Sequence, residues 1–139
     1  MPKRRTAPGS ARKSAFVQAH LDRLGDARAL SRAARWGGTI YLAGYVVECL
    51  LKAVLLARLG QVALPEKYWH HDLERLVDEA GLRAALDRPL GVEIRQRLIL
   101  LRTVWDVTIR YGGTRFRREE AEKALAAVEV IRKWLLMRI

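Results

Sequence analysis

Apolar residues recur at every third or fourth position along most of the chain, and this spacing predicts α-helices. Five helical segments are expected, over residues 12–34, 39–59, 72–79, 92–110 and from 114 to near the C-terminus. Sustained alternation of apolar and polar residues, which would indicate strands, is nearly absent. Long amphipathic helices joined by short connections predict an all-α, up-and-down four-helix bundle with a short extra helix.

Glycine and proline residues suggest where these helices begin and end. Gly37 and Gly38 are expected to separate the first two helices, and Gly60 to cap the second. Pro65 interrupts helical spacing in the loop that follows, and Thr114 can cap the last helix. Residues 82–89 are expected to form a turn or a short helical piece.

Length and charge define the domain organisation. The 139 residues fit one domain, and 26 Lys and Arg against 15 Asp and Glu give a net charge of +11. Residues 1–14 hold five of the basic residues and no acidic residue. We therefore expect a flexible basic arm over 1–14, a helical bundle over 15–139, and an anionic partner.

The most apolar segment, residues 41–57, carries Glu48 and Lys52 near its middle. In a membrane span each charge would cost about 2.5–3.5 kcal/mol, so a buried bundle helix without membrane contact is favoured. Cys49, the only cysteine, lies in this segment and is expected to be a small core residue. With no disulfide and no secretory signal, a cytoplasmic location is expected.

Glu48 and Lys52 are four residues apart, so they share one helix face with Tyr45. An exposed ion pair is the simplest interpretation of this spacing. The apolar residues on both sides favour a second interpretation, in which the charges face a cleft or an interface and have partners there.

A second polar stripe, formed by Arg102, Asp106 and Arg110, also has spacings of four. It is either a solvated row of ion pairs or, if its helix adjoins the second helix, one wall of a charged groove. In the latter arrangement Glu48 and Lys52 would meet Asp106 and Arg110, in a groove suited to phosphate.

The sequence contains no strong catalytic, metal-binding or cofactor-binding motif. His70 and His71 are adjacent and therefore poorly placed to chelate a metal, and His71 with Asp72 more plausibly begins the third helix. Trp36 and Trp69 lie near predicted loops, where they could stack on bases, although packing is the commoner role.

Three segments together resemble a known family. They are Tyr41-Leu-Ala-Gly-Tyr-Val-Val-Glu-Cys-Leu-Leu-Lys-Ala, then His71-Asp-Leu-Glu-Arg-Leu, then Arg110-Tyr-Gly-Gly before a final Ala-rich helix. In order and spacing they resemble the HEPN (higher eukaryotes and prokaryotes nucleotide-binding) domain over about residues 12–137. The resemblance implies a helical bundle, often a homodimer, tied to RNA or nucleotides. Some members are ribonucleases of toxin–antitoxin systems, and others act beside a minimal nucleotidyltransferase.

The chain departs from the pattern of the nuclease members, which carry Arg, four to six residues, then His. Arg110 matches that arginine, but Arg115, Phe116 and Arg117 occupy the positions where the histidine should stand. The usual acid or base is therefore missing, and the resemblance implies a weak nuclease or none.

Together these observations predict a nucleotide- or RNA-binding domain without strong catalysis, acting as a homodimer or with a nucleotidyltransferase. Its groove would comprise six residues: Tyr45, Glu48, Lys52, Asp106, Arg110 and Tyr111. Lys52 and Arg110 would hold phosphate, and Glu48 and Asp106 would orient them. The alternatives are a metal-independent ribonuclease that uses Arg110 with a partner other than histidine, and a nonspecific nucleic-acid binder that depends on the basic arm.

Overall fold

The structure, a computed structural model, describes residues 12–105 and 115–139. In these two ranges it contains six α-helices and no strand. The helices are α1 (Lys13–Arg32), α2 (Trp36–Leu59), α3 (Leu73–Glu79), α4 (Arg83–Leu86), α5 (Val92–Val104) and α6 (Arg118–Leu136). Short 3-10 turns cover Glu66–Tyr68 and Pro89–Gly91. The predicted all-α bundle of four long helices is confirmed, and the short piece expected over 82–89 is α4 with the turn after it.

Helix α2 is the central element, since it packs against α1, α3 and α6. By length and composition it could cross a membrane, but 78% of its most apolar window is buried inside the bundle. Its side chains Ile40, Val47, Leu50 and Leu55 are fully buried. The expectation of a buried bundle helix is met by this packing.

The predicted break at Gly37 and Gly38 is wrong, because both glycines lie inside α2. The chain reverses one turn earlier, where Ala34 adopts the left-handed conformation with φ of 57°. A side chain at Gly38 would approach the Leu30 methyl groups to 3.0 Å. Gly38 is therefore explained by the close packing of α2 on α1 rather than by a turn.

The helix predicted over 92–110 ends, within the described residues, at Val104. Trp105 is extended, with φ of −101° and ψ of 113°, and its indole turns onto α2. The indole Nε1 donates to the Tyr41 carbonyl oxygen at 2.9 Å, and the ring lies where a side chain on Gly44 would be. Trp105 is thus a core residue, as predicted, but it anchors the end of α5 instead of extending it.

The end of α2 and the start of α3 follow the expected chemistry, whereas the start of α6 does not. Gly60 caps α2 with a left-handed φ of 63°, and Asp72 Oδ1 accepts from the Arg75 amide at the start of α3. Thr114 was expected to cap the last helix, but α6 begins at Arg118 and Arg117 is its N-cap residue. The Arg117 amide donates to Glu120 Oε1 at 3.1 Å, as in a capping box. Thr114 itself lies outside the described residues.

His20 ties α1 to α6 from a buried position. Its Nδ1 donates to the Val17 carbonyl oxygen, and its Nε2 accepts from Arg132 Nε at 3.1 Å. Burial lowers the pKa of His20 below 6.5, the Val17 carbonyl partly opposes this, and the Arg132 charge lowers it further. The imidazole is therefore neutral in the folded protein at pH 7.

Gly44→Ala is expected to destabilise the fold, because the added methyl group overlaps the Trp105 ring and the ring has to move. Overpacking of this kind costs roughly 1–3 kcal/mol. Gly25→Ala is the matched control, since nothing lies within 4 Å of the added methyl group and α1 gains about 0.5–1 kcal/mol. Urea unfolding measures both, and a Gly44→Ala protein as stable as Gly25→Ala would contradict the packing described.

The free energy of unfolding is expected to fall as pH is lowered from 7 to 5. The unfolded chain takes up a proton at His20 near pH 6.5, whereas folded His20 resists it, so the stabilisation present above pH 6.5 is lost below it. Urea titrations of the wild type and His20→Gln at both pH values isolate this contribution. An unchanged pH dependence in His20→Gln would show that His20 does not cause it.

Candidate functional site

Glu48 and Lys52 form a buried ion pair in the middle of α2. Their exposed fractions are 5% and 6%, and Lys52 Nζ donates to Glu48 Oε2 at 3.2 Å. The simple interpretation as an exposed surface pair is therefore excluded. A buried carboxylate and ammonium persist only when they are paired and their remaining hydrogen-bonding capacity is satisfied.

The second partner of Glu48 is His71, which precedes α3. His71 Nδ1 lies 2.7 Å from Glu48 Oε1, so each carboxylate oxygen binds one nitrogen. An ionised carboxylate only accepts, so Nδ1 carries the proton and Nε2 is left to face outward. The His71 side chain is 44% exposed, which brings this buried cluster to the surface.

Aromatic rings enclose the cluster on one side. Tyr45 meets three rings edge to face: His71 at 5.9 Å, Trp105 at 5.5 Å and Tyr41 at 5.1 Å between centroids. The Tyr41 and Tyr45 hydroxyl oxygens are 3.2 Å apart. Tyr45 thus packs between His71 of the polar cluster and the Trp105 anchor.

Three of the predicted groove residues, Tyr45, Glu48 and Lys52, are brought together in this cluster. Asp106, Arg110 and Tyr111 lie outside the described residues. Arg102, from the second polar stripe, pairs with Glu74 of α3 at 2.6 Å, and both side chains are nearly half exposed. The described end of that stripe is therefore a solvated ion pair on the α3 side.

Sequence reasoning missed His71 as the partner of Glu48, because the two residues are 23 positions apart. It assigned His71 to the start of α3, whereas Asp72 alone caps that helix. The available signal was the conjunction of a glutamate in an apolar helix with a histidine just before an apolar helix. A buried carboxylate needs a second hydrogen-bond donor, and the imidazole of His71 can supply one.

The neighbouring histidine serves another purpose. His70 Nε2 lies 2.9 Å from Glu79 Oε1, and Arg75 Nε lies 2.8 Å from the same oxygen. Within the described residues no group of three His, Cys, Asp or Glu side chains is placed to hold a metal ion. His70 and His71 thus bind different carboxylates and do not converge.

Cys49 lies next to Glu48 but is chemically inert at neutral pH. Burial raises the pKa of its thiol to about 11, and the Glu48 charge adds to this effect. The thiol therefore stays protonated and is no nucleophile. Of the two candidate stacking tryptophans, Trp69 donates to the Leu64 carbonyl oxygen and is half exposed, and Trp36 lies under the Arg118 guanidinium.

Glu48→Ala is expected to cost about 3–5 kcal/mol of stability, because it leaves Lys52 buried without its counter-ion. The double variant Glu48→Met/Lys52→Met should recover most of that loss, since it removes both charges and keeps the volume. Chemical denaturation of the three proteins measures the difference. A double variant no more stable than Glu48→Ala would show that the ion pair is not the source of the penalty.

Among the comparisons with known proteins, one gives a match. No curated protein and no solved structure matches the chain. The family model described as the HEPN domain matches residues 16–139, which is nearly the whole chain and includes every residue of the cluster. The chain therefore belongs to the HEPN domain family.

Proposed function

We propose that this HEPN domain binds a phosphate-bearing ligand, a nucleotide or RNA, at the cluster of Glu48, Lys52 and His71, without strong catalysis of its own. The main support for this proposal is the carboxylate of Glu48, which is buried in the core helix and bridges Lys52 to the half-exposed His71. A core helix needs no such charges for packing, since a hydrophobic pair of similar volume often gives comparable stability. Their cost is accounted for if the cluster acts on a ligand.

The exposed member of the cluster is the group best placed to meet that ligand. Glu48 balances the charge of Lys52, so protonation of His71 gives the cluster a net positive charge. In that state His71 Nε2 donates outward, as an anion requires. Lys52 then contributes through its charge and through Glu48, because its own nitrogen is nearly inaccessible.

The segment after Trp105 supplies the remaining groups of this proposal. Arg110 is five residues beyond Trp105, so their Cα atoms are at most about 18 Å apart. Trp105 packs against Tyr45, so the chain that leads to Arg110 and Tyr111 departs from beside the cluster. In this proposal Arg110 holds phosphate together with His71, Lys52 adds its charge from the buried side, and Asp106 orients Arg110.

The proposal extends to the partners of the domain. Homodimerisation would bring two clusters together across a two-fold axis. A cytoplasmic nucleotidyltransferase partner, or a place in a toxin–antitoxin-type system, fits a nucleotide- or RNA-related domain that lacks the histidine of the nuclease pattern. The net charge of +11 favours an anionic ligand in either setting.

His71→Ala and Arg110→Ala are each expected to weaken binding at least about tenfold, because each removes a charge-assisted hydrogen bond. The ligands to use are AMP and a fluorescein-labelled single-stranded octaribonucleotide, followed by fluorescence polarisation. The matched control is His70→Ala, which removes the adjacent histidine and leaves the Glu48 cluster intact.

Two outcomes would contradict the proposal. Equal affinity in His71→Ala and His70→Ala would separate binding from the cluster. Affinity that falls steeply with salt, disappears when residues 1–14 are removed and ignores His71→Ala would instead establish the nonspecific basic binder.

A ribonuclease is the second candidate, and one observation favours it. A histidine whose Nδ1 is held by a buried carboxylate has the arrangement of a general base, with Nε2 free to act. His71 would accept the proton of a ribose 2′-hydroxyl as that oxygen attacks the adjacent phosphorus and the 5′-oxygen leaves. Arg110 would stabilise the charge on the phosphate.

Labelled RNA incubated with the purified protein distinguishes the two candidates. Cleavage that disappears in both His71→Ala and Arg110→Ala, and survives in His70→Ala, would establish the enzyme. Absence of cleavage, or cleavage that these substitutions leave unchanged, would leave binding as the role of the cluster.

A further inference from the structure

A cleft lined by two arginines lies at the end of the bundle, where the last turn of α2 and the residues after α6 meet the connection between α3 and α4. It is a shallow, open cleft of about 550 Å³. Its charged lining residues are Arg58 and Arg138, and no residue of the Glu48 cluster lines it.

Neither of the two arginines has an acidic partner in the described ranges. Arg23, Arg28, Arg83, Arg95 and Arg118, among others, each pair with an aspartate or glutamate. Within residues 12–105 and 115–139 neither Arg58 nor Arg138 forms an ion pair, and the lining of the cleft contains no carboxylate. Two guanidinium groups therefore line one cleft without a paired carboxylate.

The structure also holds these guanidinium groups in place. Arg138 lies 3.6 Å above the Trp134 ring and donates through Nη1 to the Trp134 carbonyl oxygen, which leaves its other donors available. Partial burial lowers the pKa of Arg138, with no acid to oppose it. Arg58 lies against Gly81, whose φ of 72° suits glycine and where any side chain would overlap the guanidinium.

The rest of the lining is small and apolar, including Ala57, Ala80 and Ala85. Small residues let a ligand approach the backbone and both guanidinium groups closely. Both arginines also lie near helix C-termini, Arg58 at the end of α2 and Arg138 after α6, and they offset the partial negative charge there. The enclosure of two of them in one carboxylate-free cleft calls for an anion.

We propose that this cleft binds the terminal phosphate groups of a nucleotide or of an RNA 5′ end. Guanidinium groups bind phosphate oxygens in pairs of parallel hydrogen bonds, and two of them match a diphosphate in charge. The site is separate from the Glu48 cluster and does not depend on the function proposed there.

Calorimetric titration with pyrophosphate and with ADP tests the proposal, using the full chain carrying His71→Ala so that the Glu48 cluster does not contribute. Both ligands should bind saturably, and Arg58→Gln and Arg138→Gln should each weaken binding roughly tenfold or more. Arg32→Gln, an exposed arginine of α1, is the matched control and should leave binding unchanged.

Ala57→Glu gives a variant whose fold is not in question, because residue 57 is an exposed helical position. The new carboxylate would occupy the arginines and should also weaken binding at least tenfold. Its control is Ala126→Glu, the same change at an exposed position of α6. An octaribonucleotide with a 5′-phosphate, compared with its 5′-hydroxyl form, distinguishes an RNA end from a free nucleotide as the source of the phosphate.

Three results would overturn the proposal. They are the absence of binding by every phosphate ligand, binding that Ala57→Glu and Ala126→Glu affect equally, and loss of stability in Arg58→Gln and Arg138→Gln without loss of binding. The last result would assign the arginines to the helix ends alone.

Discussion

A carboxylate buried in the middle of the central helix imposes a constraint that the structure around it meets. Glu48 sits among fully buried apolar residues of α2, where an uncompensated charge would cost several kcal/mol. Lys52, one turn later, satisfies one oxygen. His71 satisfies the other, and it does so only because the chain after α2 returns to place the start of α3 beside the middle of α2.

The position of Trp105 depends on the same face of α2. Gly44 provides the space for the indole, the Tyr41 carbonyl oxygen accepts its hydrogen bond, and Tyr45 packs its edge against it. One helical turn therefore holds the end of α5, while the next two turns hold the charged cluster. This arrangement fixes the point from which the Arg110-Tyr-Gly-Gly segment departs, although that segment carries few residues suited to a core of its own.

The bundle was predictable because its helices bury regular stripes, and a stripe is a property of neighbours along the chain. The spacing of Ile94, Leu98 and Leu101 indicated α5, and all three are buried. The spacing of Glu48 and Lys52 likewise indicated their pairing. The ends of elements were harder, since the left-handed turn at Ala34 has no compositional signature, and Gly37 and Gly38 proved to lie inside a helix.

The part of the site that escaped prediction consists of contacts between distant segments. Nothing in the spacing of His71 reveals that it meets Glu48, and nothing near Gly44 reveals that it accommodates Trp105. Both contacts follow from the way helices pack, which depends on the whole set of buried faces at once. The family resemblance rests on the segments of both Glu48 and His71, but it gives no reason for a contact between the two side chains.

The Glu48 cluster and the cleft of Arg58 and Arg138 differ in how positive charge is compensated. In the Glu48 cluster the ammonium of Lys52 is buried, and its counter-ion is built into the same helix, so the cluster is stable without a ligand. In the cleft at the end of the bundle, Arg58 and Arg138 keep contact with water and have no counter-ion in the described chain. Compensation within the protein suits a group that positions its neighbours, as Lys52 does through Glu48 to His71. Uncompensated charge on a concave, small-residue surface suits direct contact with a ligand. In the proposed sites, the ligand would meet a histidine held by internal ion pairs at the Glu48 cluster, and at the cleft the ligand itself would supply the negative charge.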